Sequence, residues 1–434
     1  MQSLSLQIIF SLSQLRSLLK KKAIIIVTHK RVQAKGGIES MIRLFIEKFS
    51  SWNIPVSLVY RELFTIVGVL IGNKQKNRES KIKYCKAVGS ATNMKVMPTP
   101  ELIFLLHNLL FSIVATLKIL AMIKDYRRKG YSVIIHAMDT IYGGMAAFFA
   151  SKLTGSPFVT HTHGVRAYFM QVTSKSNVIK TIDFLIERIV VKNCFLLISV
   201  NQEAAKFWNT YGVPKDNIRI IPVPIETKLF APSENARATV RGELGINANS
   251  IIYSYIGRLS PEKNLMTLME AFRKANVNAK LLIVGDGPLM PTLKRYVRSW
   301  NMSSKVIFTG FRDDIHNVIN AVDILVLPSL VEGLPTVILE AYSNGKPVIA
   351  SDIPSIREVV QNRGDGILFH PYSVDQLKNA IIELYENSSL RVKLAANARK
   401  KAELYDANTI LSKLLDVYKE VHNKSKISRN LVWY

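Results

Sequence analysis

Residues 324–350 read ILVLPSLVEGLPTVILEAYSNGKPVIA. Ile324-Leu325-Val326-Leu327 is a short unbroken apolar run, the pattern of a strand covered on both faces. It stops at Pro328-Ser329, and Glu332-Gly333 fall in the loop that follows. Pro335 suits the start of a helix, because its missing N–H would be unpaired there anyway, and 335–343 reads as that helix. Val348-Ile349-Ala350 is the next strand. A strand, a covering helix and a second strand of this kind predict a parallel sheet in an α/β domain.

The same alternation extends in both directions. Toward the N-terminus of this segment come strands at 251–256, 280–284 and 306–309, with helices at 264–274, 291–300 and 315–321 between them. An earlier series has strands at 23–27, 56–60, 133–136, 158–161, 196–199 and 219–221. Helical patterns begin after Gly36-Gly37 and at 102–123, 145–153, 179–191 and 200–208. Pro222, Pro224 and Pro232 punctuate the junction between the two series. The chain therefore divides into an extension over 1–22, an N-terminal Rossmann-like domain over 23–222 and a second over 223–406. An amphipathic helix over 407–434 is expected to return to the first domain. Two doubly wound sheets in tandem leave a cleft at the carboxyl ends of their strands, where open α/β sheets bind ligands.

Charge is unevenly spread over the 434 residues. Residues 1–200 hold 28 Lys/Arg against 9 Asp/Glu, whereas 201–434 hold 30 against 23, within a net +26. The first half is thus the part that should meet an anion. No zinc spacing, aromatic-basic run or basic low-complexity tail accompanies the charge, which argues against nucleic acid. Basic residues interleaved with apolar clusters suit an anionic membrane surface. Two cysteines, Cys85 and Cys194, make neither a CxxC pair nor a disulfide framework, as expected in a reducing cytoplasm.

Two apolar stretches bear on the membrane. In 4–19, Leu4, Ile8, Leu12, Leu15 and Leu19 recur at helical spacing before Lys20-Lys21-Lys22. The charge follows the apolar part, the reverse of a secretory signal; an interfacial helix and a disordered or packed extension are both open. The stretch 102–123 is long enough for a span. However, His107, Asn108 and Lys118 interrupt it, and Asp125 to Lys129 lead into a strand, so a helix of the fold is the expected reading.

Three strand ends carry chemistry. Free amides near Leu334, Thr336 and Val337 form an anion site where the helix begins. Glu340 lies roughly 7–8 Å farther along, at about 1.5 Å rise per residue. Gly257-Arg258-Leu259 and Pro261-Glu262-Lys263 bring two cations to another helix start; Arg suits bidentate phosphate recognition and Lys supplies a compact charge. Gly285-Asp286-Gly287-Pro288 is a tight turn that lets a ring approach the backbone. Each alone has a bland alternative: a capping carboxylate, solvated cations, a simple turn.

Their order and spacing resemble the C-terminal domain of the family-4 retaining glycosyltransferases of GT-B fold. The elements are IGRLSPEKN, LLIVGDGP, VIFTGFRDDI and PSLVEGLPTVILEAYSNGKPVIAS, with Glu332 to Glu340 as the E-x7-E pair. AIIIVTH and GGIES fit the start of the family's N-terminal domain. The resemblance implies that Arg258 and Lys263 bind the donor diphosphate, Glu332 the transferred sugar and Glu340 the ribose. The amides from Gly333 through Leu334, Pro335, Thr336 and Val337 would hold phosphate or sugar oxygens. Gly285, Asp286, Gly287, Pro288 and Phe311 would frame the base, and Gly36 and Gly37 would underlie the diphosphate. His163, in His161-Thr162-His163-Gly164, matches the family's histidine beside the reacting carbon; His161 and Asp139 are weaker candidates. The family's linker carries Asn-Gly after Ile-Pro, but this one reads Ile221-Pro222-Val223-Pro224.

The function this implies is transfer of a hexose or N-acetylhexosamine, UDP-activated, to a hydroxyl of a lipid-linked or polysaccharide acceptor with retention. No metal or other cofactor is expected, and the location is peripheral, at the inner face of the cytoplasmic membrane. The oligomeric state is not legible. The alternatives are an epimerase or hydrolase of nucleotide sugars on the same fold, a catalytically silent sugar-binding subunit, and a membrane-embedded structural protein built on 102–123.

Overall fold

The computed structural model describes residues 22–28, 37–52, 54–62, 65–71, 101–165, 168 and 177–431. The extension before Lys22, Gly36 and the basic stretch 74–95 lie outside the described residues.

The first domain runs β1 (Lys22–Val27), α1 (Gly37–Ser51), β2 (Val56–Glu62), β3 (Thr65–Ile71), α2 (Glu101–Arg128), β4 (Ser132–Ala137), α3 (Tyr142–Thr154), β5 (Phe158–Thr162), α4 (Asn177–Asn193), β6 (Leu196–Ser199), α5 (Gln202–Thr210) and β7 (Ile218–Ile220). The second runs α6 (Glu234–Glu243), β8 (Ile251–Ile256), α7 (Leu265–Ala275), β9 (Ala279–Val284), α8 (Met290–Ser299), β10 (Val306–Gly310), α9 (Ile315–Ala321), β11 (Ile324–Leu327), α10 (Thr336–Ser343), β12 (Val348–Ser351), α11 (Pro354–Arg357), β13 (Gly366–Phe369), α12 (Val374–Glu386) and α13 (Ser388–Ala402). A last helix, α14 (Ala407–Leu431), follows.

The sheet orders are β3-β2-β1-β4-β5-β6-β7 and β10-β9-β8-β11-β12-β13. In each, the order reverses beside the first strand, so crevices open at the carboxyl ends of β1/β4 and β8/β11. β3 is the departure from a wholly parallel sheet, pairing antiparallel with β2, Tyr60 opposite Val67. Only two residues separate these strands, too few for the dozen or more that a parallel crossover needs.

The second sheet and its helices enclose one core around Tyr253, Leu281, Leu325 and Ile349. The first sheet has a core on each face. One holds α1 together with Ile410, Leu414 and Tyr418 of α14. The other holds α2, α3, α4 and α5 around Ile25, Ile135 and Trp208. Buried Phe111, Ala115, Ile119 and Ile123 seat α2 against the sheet. Its small polar residues face α3: Ser112 Oγ donates to the Tyr142 carbonyl at 2.9 Å. No helix of the described residues is long and apolar enough to cross a membrane, and these packing contacts make the described part of 102–123 a helix of the fold.

Candidate active site

The two domains face each other across a cleft of about 1000 Å³. Its floor begins at the ends of β8 and β9, which are packed backbone against backbone. Gly285, at φ +124°, has no room for a side chain: a Cβ there would lie 2.0 Å from the Gly257 carbonyl oxygen. Gly287 is pressed likewise onto Leu259, whose N–H donates to the Asp286 carbonyl at 2.9 Å. These glycines hold the Gly257-Arg258-Leu259 turn down, leaving the Arg258 side chain exposed at the cleft wall.

Lys263, at the end of the short 3-10 turn after β8, reaches across to the β11 loop. Its Nζ meets Glu332 Oε1 at 2.7 Å, with the side chains only 18% and 11% exposed. Ser329 Oγ donates to the same oxygen at 2.6 Å, and the Leu330 N–H donates to the Glu262 carbonyl at 2.9 Å. The two strand-end loops are therefore tied into one unit. Pro335 precedes the first turn of α10 rather than forming it, and no side chain caps that turn. The backbone of Thr336 and Val337 thus offers N–H groups and the positive end of a helix dipole to the cleft. An anion-binding corner results, with a carboxylate on either side of it.

Glu340, farther along α10, also lines the cleft, and burial pushes its carboxyl up to about 7. A carboxylate accepts hydrogen bonds at both oxygens, whereas the protonated form must donate one. For a nucleotide whose hydroxyls donate to this group, affinity is expected to rise with pH up to about 7 and level off above. Below that, it should weaken about tenfold per unit as the proton competes. Calorimetry between pH 5.5 and 8.5 reads this slope, and Glu340→Gln should flatten it. Folding stability shifts the other way. The native state keeps a proton that the unfolded chain releases at lower pH, so this group's contribution falls as pH rises to about 7.

From the first domain, Ser40, Met41, Arg43 and Leu44 of α1 line the cleft, while the histidines of the sequence reading lie beside it. His136 on β4, His161 on β5 and His163 just beyond it form a column of rings, stacked at 5.6 and 4.8 Å. His136 Nδ1 and the Tyr418 hydroxyl of α14 are 2.6 Å apart. Burial drives His136 down to about 3 and His161 well below its ordinary value, so both are neutral at physiological pH. His163, half-buried, leans on the Met138 carbonyl at 3.0 Å. Asp139 is a cap, accepting from the amides of Ile141 and Gly143 at the start of α3. No group of three or more potential metal ligands occurs among the described residues.

The domains touch through the glycine of the Glu332-Gly333 loop. A Cβ at Gly333 would stand 1.7 Å from the His163 carbonyl oxygen. On its other side, Asn201 Nδ2 donates to the Gly333 carbonyl at 2.6 Å, while its Oδ1 caps α5. Glu358 of the second domain adds a second clasp, accepting from the amides of Gln202 and Glu203 at the start of α5. A carboxylate is well placed at a helix N-terminus.

The structure brings Arg258, Lys263, Gly285, Asp286, Phe311, Glu332, Leu334, Pro335, Thr336, Val337 and Glu340 into this cleft. Gly287 and Gly333 act through backbone contacts beside it, Pro288 continues the Gly287 turn, and His163 stands across the domain contact. Gly37 opens α1. Sequence reading missed Arg43 of α1, Arg312 and His316, which also line the cleft. Arg312 had a signal in the GFRDDI segment; Arg43 had none beyond lying on a helix after the glycines.

Two families match this chain. The one described as Glycosyl transferases group 1 covers residues 236–401, and Glycosyltransferase Family 4 covers 84–229. An Escherichia coli protein, UDP-Gal:alpha-D-GlcNAc-diphosphoundecaprenol alpha-1,3-galactosyltransferase, is 31% identical over 292 residues, spanning 65% of this chain and 73% of its own. The chain is a family-4 glycosyltransferase. A Campylobacter jejuni relative, N,N'-diacetylbacillosaminyl-diphospho-undecaprenol alpha-1,3-N-acetylgalactosaminyltransferase, is 28% identical over 59% of this glycosyltransferase and 69% of its own length. Anabaena Alr3699/HepE, solved with UDP and glucose, superposes with a TM-score of 0.69 at 19% identity, covering 92% of this chain and 100% of that one. Sucrose-phosphate synthase from Thermosynechococcus elongatus gives 0.74 at 21%, covering 93% and 100%. The glycosyltransferase thus has the GT-B fold.

Proposed function

We propose that this glycosyltransferase moves a hexose or N-acetylhexosamine from a UDP-sugar to a hydroxyl of a lipid-linked or saccharide acceptor, with retention at the anomeric carbon. The observation that carries this reading is the convergence of Lys263, Arg258 and the uncapped start of α10 on one corner flanked by Glu332 and Glu340. Cations and helix amides at one point suit a pyrophosphate, and carboxylates on either side suit the hydroxyls of its two sugars. Lys263 and Arg258 stabilise the charge that grows on the leaving diphosphate as the glycosidic C–O bond breaks. Glu332 leaves its ion pair with Lys263 to hold sugar hydroxyls, and Glu340 takes the ribose.

The acceptor oxygen attacks from the face the diphosphate leaves, and its proton passes to a leaving phosphate oxygen. Neither a protein nucleophile nor a resident metal is required. Asp139, the first-domain carboxylate weighed beside His163, is already spent capping α3, which favours this route over a double displacement. His163 then lies beside the reacting carbon. The reading places the enzyme on the inner face of the cytoplasmic membrane. Support comes from the basic first half of the chain and from relatives named for diphosphoundecaprenol-linked acceptors.

Purified protein given UDP-, GDP- and dTDP-sugars with membrane lipid extract tests it. UDP release that depends on the extract, with the anomeric configuration kept in the product by NMR, is expected. Turnover with GDP- or dTDP-sugars only, or an inverted product, defeats the donor or the stereochemical part respectively.

A further inference from the structure

The helices α2, α3 and α4 lie side by side over one face of the first sheet, and their inner sides supply its core. Their outer sides are unlike a helix layer made for water. Leu110, Ile113 and Leu117 of α2 are 59%, 59% and 61% exposed, at spacings of three and four that place them in one stripe. On α3, Leu153 is 69% exposed; on α4, Leu185 and Ile189 are 50% and 53%. Of the seventeen large apolar side chains exposed among the described residues, eight belong to these three helices, while those of the second domain are scattered. An apolar patch of this kind marks an interaction surface.

The charge around it has one sign. Lys124 and Arg128 continue the α2 stripe, Lys152 neighbours Leu153, and Arg188 and Lys192 flank Ile189, all exposed. Among the described side chains of these helices, the acids are Asp125, paired with Lys129, and Asp183 and Glu187, both buried and hydrogen-bonded by Tyr142 and Thr140. Apolar stripes set among bases, with no acid left unpaired, complement anionic headgroups above an acyl boundary. Among the described residues none of these helices is long and apolar enough to cross a membrane, and their inner sides are packed on the sheet, so the layer would lie along the bilayer surface.

The direction of the helices gives that surface a use. α2 and α3 run alongside in the same sense, as the Ser112–Tyr142 and Thr116–Ala146 bonds show. Since α3 follows β4, it begins at the carboxyl ends of the strands, the side on which the cleft opens, and Ser112 of α2 lies level with that start. Leu110 and Ile113 flank Ser112 and so sit at that level, with Leu117 about one turn farther along α2.

We propose that the outer face of α2, α3 and α4 is the surface by which the enzyme rests on an anionic lipid bilayer, bringing the first domain's side of the cleft to headgroup level. The inference deepens the reading of a lipid-linked acceptor, but binding is measured without donor, acceptor or turnover, so the two can fail separately.

The test is co-sedimentation of the full chain with phosphatidylglycerol/phosphatidylcholine vesicles and with pure phosphatidylcholine vesicles. Binding to the anionic vesicles alone, weakened by 0.5 M salt, is expected. Ile113→Glu with Leu117→Glu should weaken it at least tenfold, and Lys124→Glu with Arg128→Glu should do the same. UDP affinity should stay unchanged in both double variants, showing that the fold is kept. No binding by the parent protein, or equal binding by the parent and both variants, overturns the proposal. So does a parent that ignores vesicles but forms dimers that Ile113→Glu dissolves, which would make the face a contact between copies.

Discussion

Gly333→Ala should abolish sugar transfer while leaving the protein folded and able to bind UDP. The new methyl would stand 1.7 Å from the carbonyl oxygen of His163, and the opposing atom is backbone, with no flexible end to swing aside. Relief requires the domains or the loop to part by on the order of 1.5 Å or more to reach van der Waals separation. Misplacement of about 1 Å costs roughly 10²-fold in rate when reacting groups must be held in near-attack geometry. A drop in kcat of that size or larger is expected, with the Kd for UDP within about threefold of the parent, because the corner proposed for the nucleotide is built from the second domain. Asn201→Ala removes one hydrogen bond to the same loop and should cost much less. Parent-level turnover in Gly333→Ala would show that the working enzyme never brings Gly333 against His163.

Lys263→Ala is the second large effect expected, a loss of about 10²–10³-fold in kcat, the size seen when one preorganised donor to a developing negative charge is removed. Its partner gives a sharper comparison. Glu332→Gln keeps the shape and can still accept from Ser329, but it deletes the charge that holds Lys263 at 2.7 Å. Freed of that pair, Lys263 should bind the UDP diphosphate at least as well as in the parent. Turnover should fall because the sugar hydroxyls lose a charged acceptor. Lys263→Ala should therefore weaken UDP binding and slow transfer, whereas Glu332→Gln should slow transfer alone. Steady-state kinetics beside calorimetric UDP titrations separates these patterns, and unchanged kcat in both variants would remove this corner from the chemistry.

The second domain was legible because its signals are local. Strands buried on both faces must be apolar throughout, so Ile251–Ile256, Ala279–Val284 and Ile324–Leu327 announce themselves. Gly257 and Gly285 stand where φ values of +153° and +124° allow little else. The Glu332-to-Glu340 segment carries loop, helix start and both carboxylates within a few residues. Less was legible in the first domain. β3 escaped notice because an antiparallel edge strand beside a two-residue connection has no helix to mark it. Past Ala350, α11, β13, α12 and α13 were unassigned: α11 and β13 are four residues each, too short for a periodic signal, and α13 follows α12 with no strand between.

His161 shows the limit from the other side. Beside His163 it suggests a second donor-site residue, yet it is buried as the middle ring of a histidine stack. Alternation along a strand places successive odd-numbered residues on one face, but only packing decides how deep each one lies.

Residue order alone determined that this chain builds two largely parallel-sheet domains and gathers cations, carboxylates and a bare helix start at the strand ends of the second, since dihedral limits, strand burial and helix starts are properties of neighbouring residues. The tertiary structure decided what crosses between domains, with Gly333 against His163, Asn201 and Glu358 clasping α5 and Arg43 entering the cleft, and, within the first domain, that three helices share one apolar, basic outer face. Those contacts join residues separated by up to 170 positions, and no local spacing encodes the rotation that brings two folded domains together.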